Sequence, residues 1–222
     1  HLLQGTKEWH EFRAFHFGAS EAAAMLGLSP YKTRSALLHE KSTGIIPDVT
    51  DQTQKLFDRG HATEASARIV LEAMIDDGLS PVTMSDGKLS ASLDGLTFDG
   101  CIAFEHKLYQ EKLFNAVLEG ELPEAYQPQC QQILMVSGAE KVIFVCSDGA
   151  AEKFAQVEVC PDAAWQKRIR DGWAQFEIDL ANYQHVEAAP VAVAAPINEL
   201  PALLIEVSGS VVSSNLVQWQ AV

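Results

Sequence analysis

Positive charge is scarce in this chain. Its 222 residues carry 16 Lys and Arg against 30 Asp and Glu, a formal net charge of -14. That balance excludes a basic coat protein that grips nucleic acid over its whole surface. No stretch approaches the roughly 18 uncharged apolar residues of a membrane span. The opening HLLQGTKEWHEF lacks a basic segment followed by an apolar run. The expectation is a soluble, unexported, cytoplasmic protein. Cysteine is sparse too: Cys101, Cys130, Cys146 and Cys160 stand singly. They lack the C-x-x-C pairs of a zinc or redox site and the small secreted context of a disulfide framework, so reduced, mostly buried thiols are expected. The seven His show no metal-ligand spacing, and no internal repeat marks a solenoid.

Apolar residues are plentiful, at 47% of the chain, which excludes disorder for most of its length and allows a substantial core. Composition shifts once, after Tyr183, where QHVEAAPVAVAAPINELP reads as an extended Ala/Val/Pro linker. Residues 1–184 are therefore expected to form the functional domain, with a linker and carboxy-terminal arm over 185–222. The amino-terminal half is helical in pattern: an Ala-rich turn from Ser20 to Gly27, a helix capped by Thr33 and closed by Gly44, and a long amphipathic helix from Asp51 to Asp77. Three strands, PVTMS, KLSASLDGLTF and CIAFEHKLY, follow as an antiparallel meander. Asp86-Gly87 and Asp99-Gly100 between them are two-residue signals for type I′ turns. Then come a helix introduced by Pro123 and closed by Gly138, strands KVIFVCS and FAQVEV, and a last helix from Asp162 to about Tyr183. In that helix Trp165, Ile169, Trp173 and Phe176 fall at core spacing. The order implies an α/β fold, a mixed central sheet flanked by helices.

Within the meander, a turn centred on Asp99-Gly100 sets Asp94 opposite Glu105 and Ser92 opposite Lys107. Opposed carboxylates with Cβ atoms about 5 Å apart repel unless a cation lies between them. Strict alternation would gather Ser92, Asp94, Glu105 and Lys107 on one face. Hard oxygen donors suit Mg²⁺ or Mn²⁺ rather than zinc. Two such ions can polarise a phosphodiester, generate hydroxide and stabilise a leaving oxygen. Lys107 would position or deprotonate the water, in a protonation state that opposing neighbours leave open. Glu64, in the long helix, is either a surface acid paired with Arg68 or an inward ligand. Ser20 is either an N-cap or an anion ligand, and Arg13 either a surface cation or a phosphate fork.

The spacing of Asp94, ten residues and Glu105-His106-Lys107 resembles the PD-(D/E)XK nuclease signature, with Leu93 in place of its Pro. GASEAAAMLGLSPYKTRSALLHEKSTG, RGHATEASAR, SLDG and AYQPQCQQILMVSG resemble the motifs of the YqaJ-like viral recombinase family, which includes phage lambda exonuclease. The resemblance implies a restriction-endonuclease-like core. It also implies a site in which Asp94, Glu105 and the His106 carbonyl hold one metal ion while Glu64 serves a second. Lys107 then matches the catalytic lysine, Gln129 the glutamine contacting the site, and Tyr126 the aromatic of that motif. Arg13, Ser20 and Ser92 match positions that grip a 5′-phosphate. The implied activity is Mg²⁺-dependent 5′-to-3′ exonuclease action on linear double-stranded DNA, by a homotrimeric ring working with a single-strand annealing protein in the bacterial host of a phage or prophage. Lys32, Arg34, Lys41, Lys55 and Arg59 would line its channel. The four Cys lack the clustered carboxy-terminal trio of relatives that hold an iron-sulfur cluster. Two alternatives remain at this point: a structure-selective or nicking endonuclease on the same core, and a catalytically silent DNA-end scaffold.

Overall fold

Apolar residues that alternate with polar ones in β-strand segments such as Leu79–Asp86, and run continuously in Lys141–Ser147, build most of the sheet. The computed structural model describes residues 6–44 and 51–183, so the 185–222 arm lies outside the described residues. Six strands form one mixed sheet: β1 (Phe17–Gly18), β2 (Leu79–Asp86), β3 (Leu89–Thr97), β4 (Ile102–Leu108), β5 (Lys141–Ser147) and β6 (Phe154–Val159). β2, β3 and β4 form the expected antiparallel meander. β5 runs parallel to β4 and pairs antiparallel with β6, and β1 pairs parallel with the start of β3. The parallel β4–β5 pair needs a crossover, which α5 (Glu111–Leu118) and α6 (Gln127–Ser137) supply.

Both hairpin turns differ from the type I′ expectation. Asp86 pairs with Leu89, leaving Gly87 and Lys88 as the turn residues. Only Gly87 has a positive φ, 58°, the pattern of type II′. Between β3 and β4 the connection spans Phe98 to Cys101. Gly100 N–H donates to Thr97 O at 2.9 Å, and Asp99 Oδ1 accepts from Thr97 Oγ1 and Cys101 N–H. The side chain of Asp99 thus does locally what a left-handed backbone at that residue would otherwise do. Because this loop is centred at the same point, Gly95 still pairs with Phe104 and Leu96 with Ala103, the expected register.

The helices follow their end signals. In α3 (Arg34–Thr43), Thr33 Oγ1 accepts from Ala36 N–H, and Gly44 closes the helix in the left-handed region. α4 spans Asp51–Ile75, and α7 spans Ala163–Ala181 with the Asp162 carboxylate accepting from Ala164 and Trp165 N–H. α1 (Lys7–Phe15), α5 and the short β1 were not expected, although Glu8 and Arg13 stand in the first and last turns of α1 and Gly120, at a φ of 81°, follows α5. The Ala-rich turn is a 3₁₀ turn, Ala19–Glu21, leading into α2 (Ala22–Met25).

Alternation along β5 decides which helix covers which face. Val142, Phe144 and Cys146 pack with Cys130, Ile133 and Leu134 of α6, while Ile143 and Val145 pack with Ala67 and Leu71 of α4. Full burial of each such large apolar side chain stabilises the fold by about 1.5–3 kcal/mol. Ile169, Trp173 and Phe176 of α7 form a third cluster with Phe17, Met25 and Leu37, as their spacing predicts; Trp165 is only half-buried. Cys130 and Cys146 are buried, Cys101 is intermediate and Cys160 exposed, all as free thiols.

Candidate active site

The sheet carries its polar cluster where β3 and β4 part. The β3–β4 ladder is formed at Gly95–Phe104 and Leu96–Ala103. Further along, the His106 N–H donates to Asp94 Oδ2 at 2.8 Å, so a carboxylate occupies the position of a ladder acceptor. On its other side, β3 carries a bulge: Ser80 pairs with Leu96 but Val82 with Leu93, so Asp94 and Gly95 together oppose Pro81. A bulge adds one residue and breaks alternation. Leu93 and Leu96, three residues apart, accordingly contact the same core cluster.

This corrects the four-residue face read from the sequence. Alternation sets Glu105 and Lys107 on the side of Ala103, beneath α6, whereas Ala91 and Leu93 on that side turn Ser92 away. Ser92 Oγ lies 3.2 Å from Thr83 Oγ1 across the β2–β3 pair. Glu105, Lys107 and Gln129 do converge. Glu105 Oε1 accepts from Lys107 Nζ at 2.5 Å and from Gln129 Nε2 at 2.6 Å. Pro128 at the start of α6 suits a first turn whose backbone N–H groups lack helical partners, and it precedes Gln129. From α4, Arg68 ties two of the acids together: Nη2 donates to Glu64 Oε1 at 2.6 Å and Nε to the Asp94 carbonyl at 2.9 Å. Glu64 is therefore Arg68-paired, as the i,i+4 spacing suggests, yet only 17% of its side chain is exposed. Glu64 thus combines the Arg68 pairing with a side chain largely withdrawn from solvent.

Electrostatics at the cluster are strained. Burial pushes the Asp94 carboxyl well above the usual range, and the charges of Glu105 and Glu64 push it further. Burial likewise raises Glu64, with Glu105 adding to it and Arg68 opposing. Burial works against the Lys107 ammonium, but Glu105 and Asp94 outweigh it and the net shift is upward. Lys107 is thus protonated at neutral pH in this state. His106 faces away: its Nε2 lies 2.9 Å from Ser147 Oγ, and burial, with Lys107 nearby, lowers its pKa to about 4.

Among the buried side-chain nitrogen and oxygen atoms of the described residues, Glu105 Oε2 has no hydrogen bond. Leaving such an atom unpaired costs about 1–3 kcal/mol, more for a charged group, unless a ligand pairs with it. A divalent cation would satisfy it and relieve the repulsion that raises Asp94. The donors present, all oxygen, therefore fit Mg²⁺ or Mn²⁺. Among the described residues, no three His, Cys, Asp or Glu side chains already converge as a cage. Arg68 holds Glu64, and Lys107 and Gln129 hold one oxygen of Glu105.

Beside the cluster opens a cleft of about 390 Å³ lined by Ser20, Tyr31, Lys107, Tyr109, Tyr126 and Gln129, among others. Burial, together with the Tyr31 phenol, raises Tyr126 to about 12. Ser20 is exposed and sits inside the 3₁₀ turn; Gly18 occupies the N-cap, so the N-cap alternative for Ser20 is set aside. Arg13 Nη2 lies 3.4 Å from Ser20 Oγ and 3.0 Å from Glu21 Oε1. The expected cationic lining fares less well. Lys32 pairs with Glu40, Arg34 with Asp179, and Lys41 is buried against Glu21. Lys55 and Arg59 are exposed. Arg68 is legible in the sequence only as the i,i+4 partner of Glu64, Lys41 only as a channel cation, and Glu21 not at all.

A mixed sheet flanked by helices, carrying an Asp, Glu and Lys cluster at a fork in its central strands, defines a protein of the restriction-endonuclease-like fold class. The model of the YqaJ-like viral recombinase domain matches residues 8–140, and the chain belongs to that family. Solved structures agree on the fold. An alkaline exonuclease from Laribacter hongkongensis superposes with TM-score 0.65 at 20% identity, covering 80% of this chain and 93% of that one. Its complex with dAMP gives 0.67 at 21% identity over the same shares. A phage-related exonuclease from Haemophilus somnus gives 0.56 at 11% identity, covering 78% and 97%. No curated protein sequence matches significantly.

Proposed function

We propose that the chain is a metal-dependent exonuclease that degrades the 5′-ended strand of linear double-stranded DNA, leaving 3′ overhangs for phage-type single-strand annealing. The observation that carries this is the buried, unpartnered Oε2 of Glu105 beside an Asp94 carboxyl whose ionised form is disfavoured by burial and then by neighbouring acids. Asp94, Glu105 and the His106 carbonyl would hold one Mg²⁺, with Glu64 serving a second; Mn²⁺ fits the same donors. When bound, the metal supplies Lewis-acid polarisation of the phosphoryl oxygens and a water acidic enough to deprotonate near neutral pH.

The protein's own groups prepare the rest. Gln129 and Lys107 fix Oε1 of Glu105, which leaves Oε2 for the cation. The His106 N–H fixes one oxygen of Asp94, and Arg68 restrains Glu64 and the Asp94 carbonyl. Lys107, holding its proton on Nζ in the metal-free state, faces the cleft and offers charge compensation to a phosphodiester lying there. Arg13 and Ser20, already adjacent, form the receptor for a 5′-phosphate, while Ser92, which faces the other side of the sheet, is left out of it. The family supports a recombination role, in which an annealing partner would take up the overhangs, and the dAMP complex of the Laribacter enzyme supports deoxynucleotide chemistry in this fold. A homotrimeric ring would let a chain of net charge -14 present its cations locally, although three of the five cations expected there are neutralised by carboxylates.

Strand polarity is the test. Blunt duplex labelled separately on each strand, with 5′-phosphoryl ends and Mg²⁺, should lose nucleotides from the 5′-ended strands only. Loss from 3′ ends, or cutting of closed circular DNA, would overturn the assignment.

A further inference from the structure

Apart from the carboxylates at the strand fork, three charged side chains from separate elements meet over Gly18. Glu21 divides its carboxylate: Oε1 accepts from Arg13 Nη2 at 3.0 Å, and Oε2 accepts from Gly18 N–H at 2.9 Å and Lys41 Nζ at 3.0 Å. Lys41, its side chain 8% exposed, also donates to the backbone carbonyls of Arg13 and His16, each at 2.8 Å. It thereby caps the end of α1 and ties that end to α3 and to Glu21. Space is tight: a Cβ at Gly18 would lie 3.3 Å from Glu21 Oε2 and 3.6 Å from Arg13 Nη2.

This arrangement is costly. Burying an ammonium is unfavourable unless its partners are well placed, and a well-packed apolar residue at position 41 would avoid the cost. What the network achieves is orientation. Arg13 has a long side chain with much rotamer freedom, and Glu21 sets its Nη2 3.4 Å from Ser20 Oγ before any ligand arrives. A receptor ordered in advance spares the ligand that entropy.

We propose that Glu21, locked by Lys41 and the Gly18 N–H, is a positioning residue that presets the Arg13 guanidinium beside Ser20 as the receptor for the terminal phosphate of a DNA end. This rests on the phosphate role of Arg13 and Ser20 stated above. Glu21 acts through Arg13, so its effect disappears when Arg13 is absent. In Glu21→Gln the amide NH₂ must face Arg13 or the Gly18 and Lys41 donors, so one set of contacts is lost.

The test compares kcat/KM on matched linear duplexes with 5′-phosphoryl or 5′-hydroxyl ends, for the full chain and for Arg13→Ala, Glu21→Gln and the double variant. Anisotropy of the same duplexes without divalent metal gives the ratio if no strand is degraded. The starting protein favours the phosphoryl end. Glu21→Gln lowers that preference about tenfold, the scale of one charge-assisted hydrogen bond, and does so through KM. The double variant shows the same preference as Arg13→Ala alone. Gly18→Ala, which crowds Glu21 Oε2 without removing charge, moves the preference the same way and serves if Glu21→Gln does not fold. An Arg13-dependent preference that survives both Glu21→Gln and Gly18→Ala, effects that add in the double variant, or a KM that falls because Glu21 merely competed with phosphate, would each overturn the positioning role alone. No preference in the starting protein would overturn the phosphate role itself, and the positioning role with it.

Discussion

Asp94 and Glu105 carry a conflict between folding and chemistry. Burial, and after it the neighbouring acids, hold the Asp94 carboxyl above its usual range, so its ionisation at neutral pH opposes the metal-free fold. A carboxyl with a raised folded pKa contributes stability at low pH that is lost as pH rises through that pKa. Asp94→Asn keeps an acceptor for the His106 N–H and removes the repulsion. It should raise the metal-free stability by about 1 kcal/mol, read by urea denaturation, while abolishing nuclease activity. His106 offers the opposite case. Its imidazole titrates near 4 in the fold and near 6.5 when unfolded. Acidification between those values protonates the unfolded chain first and drains stability, up to about 3 kcal/mol. His106→Gln, which retains a partner for Ser147, should flatten that part of the pH–stability curve. An unchanged slope between pH 6.5 and 4 would refute the assignment.

At the scale of elements, close packing fixes where helices lie. A Cβ on Gly172 of α7 would sit 2.6 Å from Met25 Sδ and 2.8 Å from Leu26 Cδ2, so α2 and α7 approach at that glycine. Gly172→Ala forces the ends of the Met25 and Leu26 side chains to shift, and that overpacking should cancel the roughly 1 kcal/mol alanine otherwise gains over glycine in a helix, seen as a urea midpoint that does not rise at constant m-value. What could be read in advance at this scale followed physical flags. Thr33, Gly44, Gly138 and Asp162 ended their helices as their chemistry dictates. The register between β3 and β4 survived a wrong turn type because register depends on the centre of the loop rather than its conformation. The bulge at Asp94–Gly95 was hidden because it depends on how Pro81 sits in the facing strand, a tertiary condition. α5 was missed because Glu111–Leu118 is short and has no side-chain cap.

For the whole molecule, acidity and DNA chemistry are compatible because the acids and cations are used locally. Glu64, Asp94 and Glu105 gather at one fork, while Lys32, Arg34 and Lys41 each answer a carboxylate elsewhere in the fold. The acidic cluster was legible from the spacing of Asp94, Glu105 and Lys107. The pairing of the cations was not, since Glu21, Glu40 and Asp179 meet them only once the chain is folded. If the fork is a metal site, Mg²⁺ binds the native state alone. At a concentration 100 times Kd it should then add about 2.7 kcal/mol of stability, visible as a rise in Tm that Glu105→Gln removes. The most direct measurement is release of acid-soluble nucleotides from linear 5′-phosphorylated duplex DNA in Mg²⁺, comparing the protein with Lys107→Ala and with a chelator control. The protein should release nucleotides, Lys107→Ala should lose at least a hundredfold of that activity, and no release should occur with chelator. Release that persists in Lys107→Ala or without divalent metal, or a protein inert on such ends, would contradict the metal-dependent nuclease assignment.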